Sequence, residues 1–170
     1  FSFYRFPKQK AYVLYSNFAR QQFDAHHSNL KGARHIVHLQ PYSYYKNYQV
    51  RAPRNRKHIL FFGRLSPYKG IDVLLEAFPQ VLKKFPDEKL VIAGKSFEGY
   101  VPDPSVIETH KAQIQLLNRY ITNEELVALI SEAKFIVCPY KDATQGGVLM
   151  TSFALHTPVI ATAIGAFPEY

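Results

Sequence analysis

The chain is poor in cysteine. Its 170 residues contain one, Cys138, so no internal disulfide can form. That cysteine lies in the apolar run AKFIVCP, where a buried, unreactive thiol is expected. Long hydrophobic runs are also absent, and no stretch approaches the ~18 apolar residues of a membrane span. The opening FSFYRFPKQK has no apolar stretch between its charges and no small-residue cleavage site, so it does not read as a signal peptide. A cytoplasmic location is the expectation, with peripheral membrane contact kept open. No G-x-G-x-x-G follows a strand and no G-x-x-x-x-G-K-[ST] occurs, which argues against a dinucleotide oxidoreductase and a P-loop nucleotidase. No internal repeat or low-complexity segment is present.

Acidic residues are nearly missing from the first third. Residues 1–57 hold 11 Lys and Arg against one acid, Asp24, a net charge of +10, and residues 58–170 hold 10 against 12, a net charge of −2. Tyr42, Tyr44, Tyr45 and Tyr48 crowd the same basic part. Such a segment fits a solvated basic face over packed tyrosines, an anionic membrane or acceptor surface, or nucleic acid. The first is favoured, and nucleic acid is not expected as a partner. The adjacent His26 and His27 point in different directions on a helix and have no third ligand nearby, so no metal site is expected. His110 and His156 likewise have no carboxylate at a telling spacing.

What is present is a regular alternation of strands and helices. AYVLY (11–15) reads as a strand, Ser16-Asn17 as a helix N-cap before FARQQFDAH, and ARHIVHL (33–39) as a second strand. Residues 40–57 read as a linker. Strands are then expected at 58–63, 89–94, 113–118, 134–139 and 157–162. Helices are expected at 71–85, with Val73, Leu74, Ala77, Phe78 and Leu82 on one helical face, at 105–111, after Thr122, and at 147–155. Thr122 with Glu125 has the spacing of a capping box. The pattern predicts an α/β fold, a doubly wound parallel sheet of Rossmann-like type.

In such sheets ligands bind beyond the carboxyl ends of the strands. The residues just past those ends include Arg64, Lys69, Lys95, Arg119 and Lys141, together with three glycine-bearing turns. Concentrated positive charge beside helix N-termini is the physics of a phosphate site. Glycine after a strand is also ordinary turn chemistry, and loop-end lysines are often merely solvated.

Four segments carry a more specific signal: FFGRLSPYKGIDVLLEAF (61–78), LVIAGK (90–95), YITNEELVALISEAKFIVCPY (120–140) and GVLMTSFALHTPVIATAIGAFPEY (147–170). In order and spacing they resemble the carboxyl-terminal domain of glycosyltransferase family four, the group one glycosyltransferases. The resemblance implies one half of a GT-B enzyme, with residues 58–170 as the sugar-nucleotide-binding domain and residues 1–39 as a remnant of the amino-terminal acceptor domain. It implies a nucleoside-diphosphate sugar donor, a saccharide or lipid-linked acceptor, retention at the anomeric carbon, and no cofactor or obligatory metal. Arg64 and Lys69 match the family's diphosphate clamp. Thr144, Gln145, Gly146 and Gly147 match its glycine loop, and Arg119 and Tyr120 the strand end where the nucleobase rests. Gly165, Pro168 and Glu169 match the family's G-G-x-P-E stretch, with Ala166 in place of the second glycine.

One departure stands out. The family's two glutamates, eight positions apart, fall at Ala143 and Thr151 when the chain is anchored on His156-Thr157-Pro158. Asp142 or Gln145 is the candidate substitute for the sugar contact, and Thr151 occupies the ribose position. Three readings follow: a glycosyltransferase fragment, a non-catalytic nucleotide-sugar-binding domain, or other sugar-nucleotide chemistry such as epimerisation. Both ends look cut against the family pattern, so the expectation is that this chain alone does not turn over.

Overall fold

A computed structural model describes residues 11–42, 44, 45, 48 and 55–170. Residues 1–10 of the expected remnant, and residues 43, 46, 47 and 49–54 of the expected linker, lie outside them. Strands β1 (Ala11–Leu14) and β2 (Ala33–Ile36) pair in parallel across helix α1 (Asn17–His26). Ser16 caps α1 as its sequence position predicts, its Oγ accepting from the Ala19 amide at 2.9 Å. β2 stops three residues earlier than expected.

The larger unit runs β3 (His58–Phe62), α2 (Ile71–Lys84), β4 (Leu90–Ala93), α3 (Pro104–Thr109), β5 (Ile114–Leu117), α4 (Asn123–Glu132), β6 (Ala133–Cys138), α5 (Gly147–Ala154) and β7 (Val159–Ala161). Its five strands are all parallel, in the order β5-β4-β3-β6-β7. The inner strands are apolar because helices cover both of their faces. Every residue of β3 and β4 is buried, whereas β7 at the edge has none buried. Phe61 and Phe78 are the largest fully buried side chains, each contributing roughly 1.5–3 kcal/mol by leaving water.

Two expectations are corrected. α2 buries Ile71, Leu74, Leu75 and Phe78, and its Val73 and Ala77 face solvent. Ile71 starts an i, i+3, i+4, i+7 stripe that takes the core side, and Val73 lies about 200° around the helix from it. The capping box at α4 is half-formed. Thr122 Oγ1 accepts from the Glu125 amide at 3.3 Å, but the Glu125 carboxylate is drawn away to Arg119.

The expected linker is tied to the larger unit at several points. Arg56 donates to the carbonyls of Ala133 (2.6 Å) and His156 (3.0 Å), and Tyr45 and Tyr48 pack against the core. The small unit docks through the opposite end of the chain. Glu169 accepts from the amides of Asn17 (2.7 Å) and Phe18 (2.8 Å), so a carboxylate sits on the first-turn amides of α1. Tyr170 donates to the Tyr15 carbonyl. Among the described residues no helix is long and apolar enough to cross a membrane.

Candidate functional site

The chain leaves β3 to build β4 and β5 on one side, then crosses back to place β6 on the other. The strand order therefore reverses between β3 and β6, and a crevice opens where their carboxyl ends diverge. The segment 63–70 after β3 and the segment 139–147 after β6 form its walls.

Lys69 sits at the bottom of this crevice. It lies in a short 3-10 turn, Pro67–Lys69, and is only 7% exposed. The turn ends on Gly70 at φ 67°, and a Cβ there would stand 1.9 Å from the Pro139 carbonyl oxygen. Glycine is thus required for the backbone to turn left-handed against β6's exit and push Lys69 inward. The Lys69 ammonium donates to the Tyr140 hydroxyl at 3.1 Å and lies 4.9 Å from the centre of that ring. No carboxylate pairs with it among the described residues. Burial pushes its pKa down to about 8, and the positive charge of Arg64 adds to the effect. A Cβ on Gly63 would come within 3.0 Å of the ammonium, so a side chain at that position would crowd it.

Arg64 is exposed at the crevice mouth. Its guanidinium carbon lies 4.5 Å from the centre of the Phe97 ring, and no carboxylate pairs with it. Of the five cations expected at this edge, two are already neutralised. Arg119 holds Glu125 in a two-pronged ion pair, and Lys141 turns back to Asp72 in the first turn of α2 at 2.5 Å. Arg64, Lys69 and Lys95 remain without an ion-pair partner among the described residues. Unpaired positive charge is therefore concentrated past the carboxyl ends of β3 and β4, with the buried Lys69 turned toward Tyr140 after β6.

The other sequence-derived residues spread along the same edge. Gly146 opens α5 with no side-chain cap, and Gly147 follows in its first turn. The Tyr170 ring covers Gly146 so closely that a Cβ would come within 2.8 Å of it. Asp142, Thr144 and Gln145 are exposed. They form one wall of a cleft of about 890 Å³ whose other wall is β1 and α1, including Tyr12, Phe18 and Phe23. Tyr120 projects into solvent at 73% exposure. Among the described residues no group of three or more His, Cys, Asp and Glu comes together as a metal ion would need.

A family model described as "Glycosyl transferases group 1" matches residues 56–170. The chain belongs to the group 1 glycosyltransferases. A D-inositol 3-phosphate glycosyltransferase of Corynebacterium aurimucosum is 30% identical over 126 residues, which cover 71% of this chain and 30% of that protein. A GDP-mannose:glycolipid 4-beta-D-mannosyltransferase of Xanthomonas campestris pv. campestris is 30% identical over 106 residues, covering 61% of this chain and 29% of that one. The chain therefore spans less than a third of the length of these two relatives. Among solved structures, a glycosyltransferase of Rickettsia africae superposes with a TM-score of 0.70 at 21% identity, over 94% of this chain and 46% of that one. The fold is the Rossmann-like carboxyl-terminal half of a GT-B glycosyltransferase.

Against that family pattern, the two positions expected to hold glutamates are closed to solvent. Ala143 is buried, and its carbonyl accepts from the Ala166 amide at 2.7 Å. Thr151 is buried on α5, where its hydroxyl donates to the Gly147 carbonyl at 3.0 Å. Sequence reasoning gave no role to Phe97, which faces Arg64, or to Tyr140, the nearer of the two rings beside Lys69. Tyr140 was readable in principle as the second residue past β6. Phe97 was not, because its loop is brought to Arg64 by pairing between Leu65 and Ser96. The cysteine is buried as expected, and desolvation lifts its thiol to about 12.

Proposed function

We propose that this domain binds the diphosphate of a nucleoside-diphosphate sugar between Arg64 and Lys69, and that the complete enzyme transfers the sugar to an acceptor hydroxyl with retention and without a metal. The observation that carries this reading is a buried lysine with no carboxylate partner, beside an equally unpaired arginine, at the point where the strand order reverses. Leaving an ammonium desolvated and unpaired is unfavourable unless an anion completes the site. As the bond to the anomeric carbon breaks, negative charge grows on the departing diphosphate. The Arg64 fork and the Lys69 point charge meet that charge where it develops. The relative named for GDP-mannose and a glycolipid suggests a lipid-linked or saccharide acceptor, and the net charge of +10 in residues 1–57 suits an anionic one.

Titration of the full chain with uridine and guanosine diphosphates tests the clamp. Each charge-assisted bond is worth roughly 1.5–3 kcal/mol, so Arg64→Ala with Lys69→Ala should weaken binding by about a hundredfold or more. Unchanged affinity in the folded double variant would sink the assignment.

The buried Ala143, and the Thr151 hydroxyl bonded within its own helix, favour a second reading in which the domain binds a nucleotide sugar without transferring it. Diphosphate binding in a complete enzyme with no detectable transfer to any acceptor would select that reading over the first.

A further inference from the structure

Arg64 has no ion pair, yet its position is defined by the loop that follows β4. Two backbone hydrogen bonds, which together make one parallel bridge, hold that loop against the residue after Arg64. The bridge joins Leu65 and Ser96: the Leu65 amide donates to the Lys95 carbonyl at 3.0 Å, and the Phe97 amide donates to the Leu65 carbonyl at 3.0 Å. From the other side, Asn118 accepts from both the amide and the hydroxyl of Ser96 at 2.9 Å. Phe97 is thereby fixed by its backbone, and its ring carries the Arg64 guanidinium at 4.5 Å from its centre. Phe97 is 41% exposed and is not among the residues of the hydrophobic core. The ring contact that Phe97 makes among the described residues is the one with Arg64.

We propose that Phe97 is a positioning residue for the diphosphate clamp: its ring holds the Arg64 guanidinium in place, leaving the N–H fork free for the donor's phosphate oxygens. The proposal rests on the clamp reading above. A carboxylate could hold the arginine equally well, but it would occupy the fork and cancel the charge that the ligand needs, as Glu125 does to Arg119. An aromatic face holds a guanidinium through its quadrupole and leaves both the charge and the edge donors available. Without the ring, a long and solvated arginine side chain must be ordered at the moment of binding, which weakens affinity.

The test is a set of variants in the full chain, titrated with uridine diphosphate and with inorganic pyrophosphate, with thermal melting to confirm the fold. Phe97→Ala should weaken both ligands by about two- to fivefold, the range of a partly exposed cation–π contact. Phe97→Tyr should restore affinity. Phe97→Leu, which keeps apolar bulk but has no π face, should not. In an Arg64→Ala background, Phe97→Ala should have no further effect. Rescue by leucine would reduce Phe97 to packing and overturn the proposal. An unaltered loss in the Arg64→Ala background would overturn it too. So would a loss confined to uridine diphosphate, which would mark Phe97 as a contact for the nucleoside. If Arg64→Ala with Lys69→Ala costs affinity and Phe97→Ala does not, only the role of Phe97 falls. If neither does, the clamp itself is wrong.

Discussion

At the scale of single residues, Lys69 has the most to report. Its amine is held near a pKa of about 8 by burial, with Arg64 adding to the effect, against an ordinary value of 10.5. Between those values the unfolded chain keeps a proton that the folded chain has released. Stability should therefore rise with pH across about 8 to 10.5 and be insensitive to this group below that window. Diphosphate affinity should run the other way, flat below about pH 7 and falling as the ammonium loses its proton above about 8. Isothermal titration across pH 6.5–9.5 checks this, and Lys69→Met should remove the pH dependence as well as most of the affinity. A pH-independent affinity in the unaltered chain would show that Lys69 does not face the ligand. The place of Arg64 and Lys69 after a strand was legible from sequence. Their freedom from ion pairs was not, because Arg119 and Lys141 stand at equivalent strand ends and are neutralised by Glu125 and Asp72 from other elements.

At the scale of elements, the turn between β3 and α2 decides whether the site exists. Gly70 must be left-handed and must pass the Pro139 carbonyl closely. Gly70→Ala meets both a positive φ and a 1.9 Å approach to that oxygen. It should cost about 2 kcal/mol or more in urea unfolding. A variant that folds with less than about half that loss would mean that the turn can relax away from β6. Two helix starts were readable from a side chain that makes its own cap, and the Asp103 cap of α3 was not read. Ser16 and Thr122 do so within their own sequence neighbourhood. The buried face of α2 was misread because apolar residues sit on more than one side of it, and only the sheet beneath selects Ile71, Leu74, Leu75 and Phe78. The capping box failed for a related reason: a local pairing of Glu125 with its helix end lost to a charged partner across the loop.

At the scale of the whole molecule, the β1–α1–β2 unit is tied to the larger unit by hydrogen bonds between residues 151, 152 and 155 positions apart. Hydrogen bonds from the Asn17 and Phe18 amides hold the Glu169 carboxyl below its usual range, although partial burial works the other way. Glu169→Ala should therefore speed hydrogen exchange at the Asn17 and Phe18 amides while β3 and β4 stay protected. Unchanged exchange there would show that the docking does not depend on this carboxylate. Phe18, at the α1 end of this junction, lines the cleft opposite Asp142 and Gln145, so loosening the junction should also alter how the two walls face each other. By itself the sequence determined the strand and helix order, the parallel sheet, the family and the edge on which its cations lie. The order, the sheet and the edge follow from apolar periodicity and from residues close together in the chain, and the family follows from the resemblance of four segments, which the family model bears out. Tertiary structure alone decided which cations are free, which rings stand against them, and that Ala143 and Thr151 are closed off. Charge pairing, desolvation and close approach depend on distances between elements, and one-dimensional spacing does not encode them.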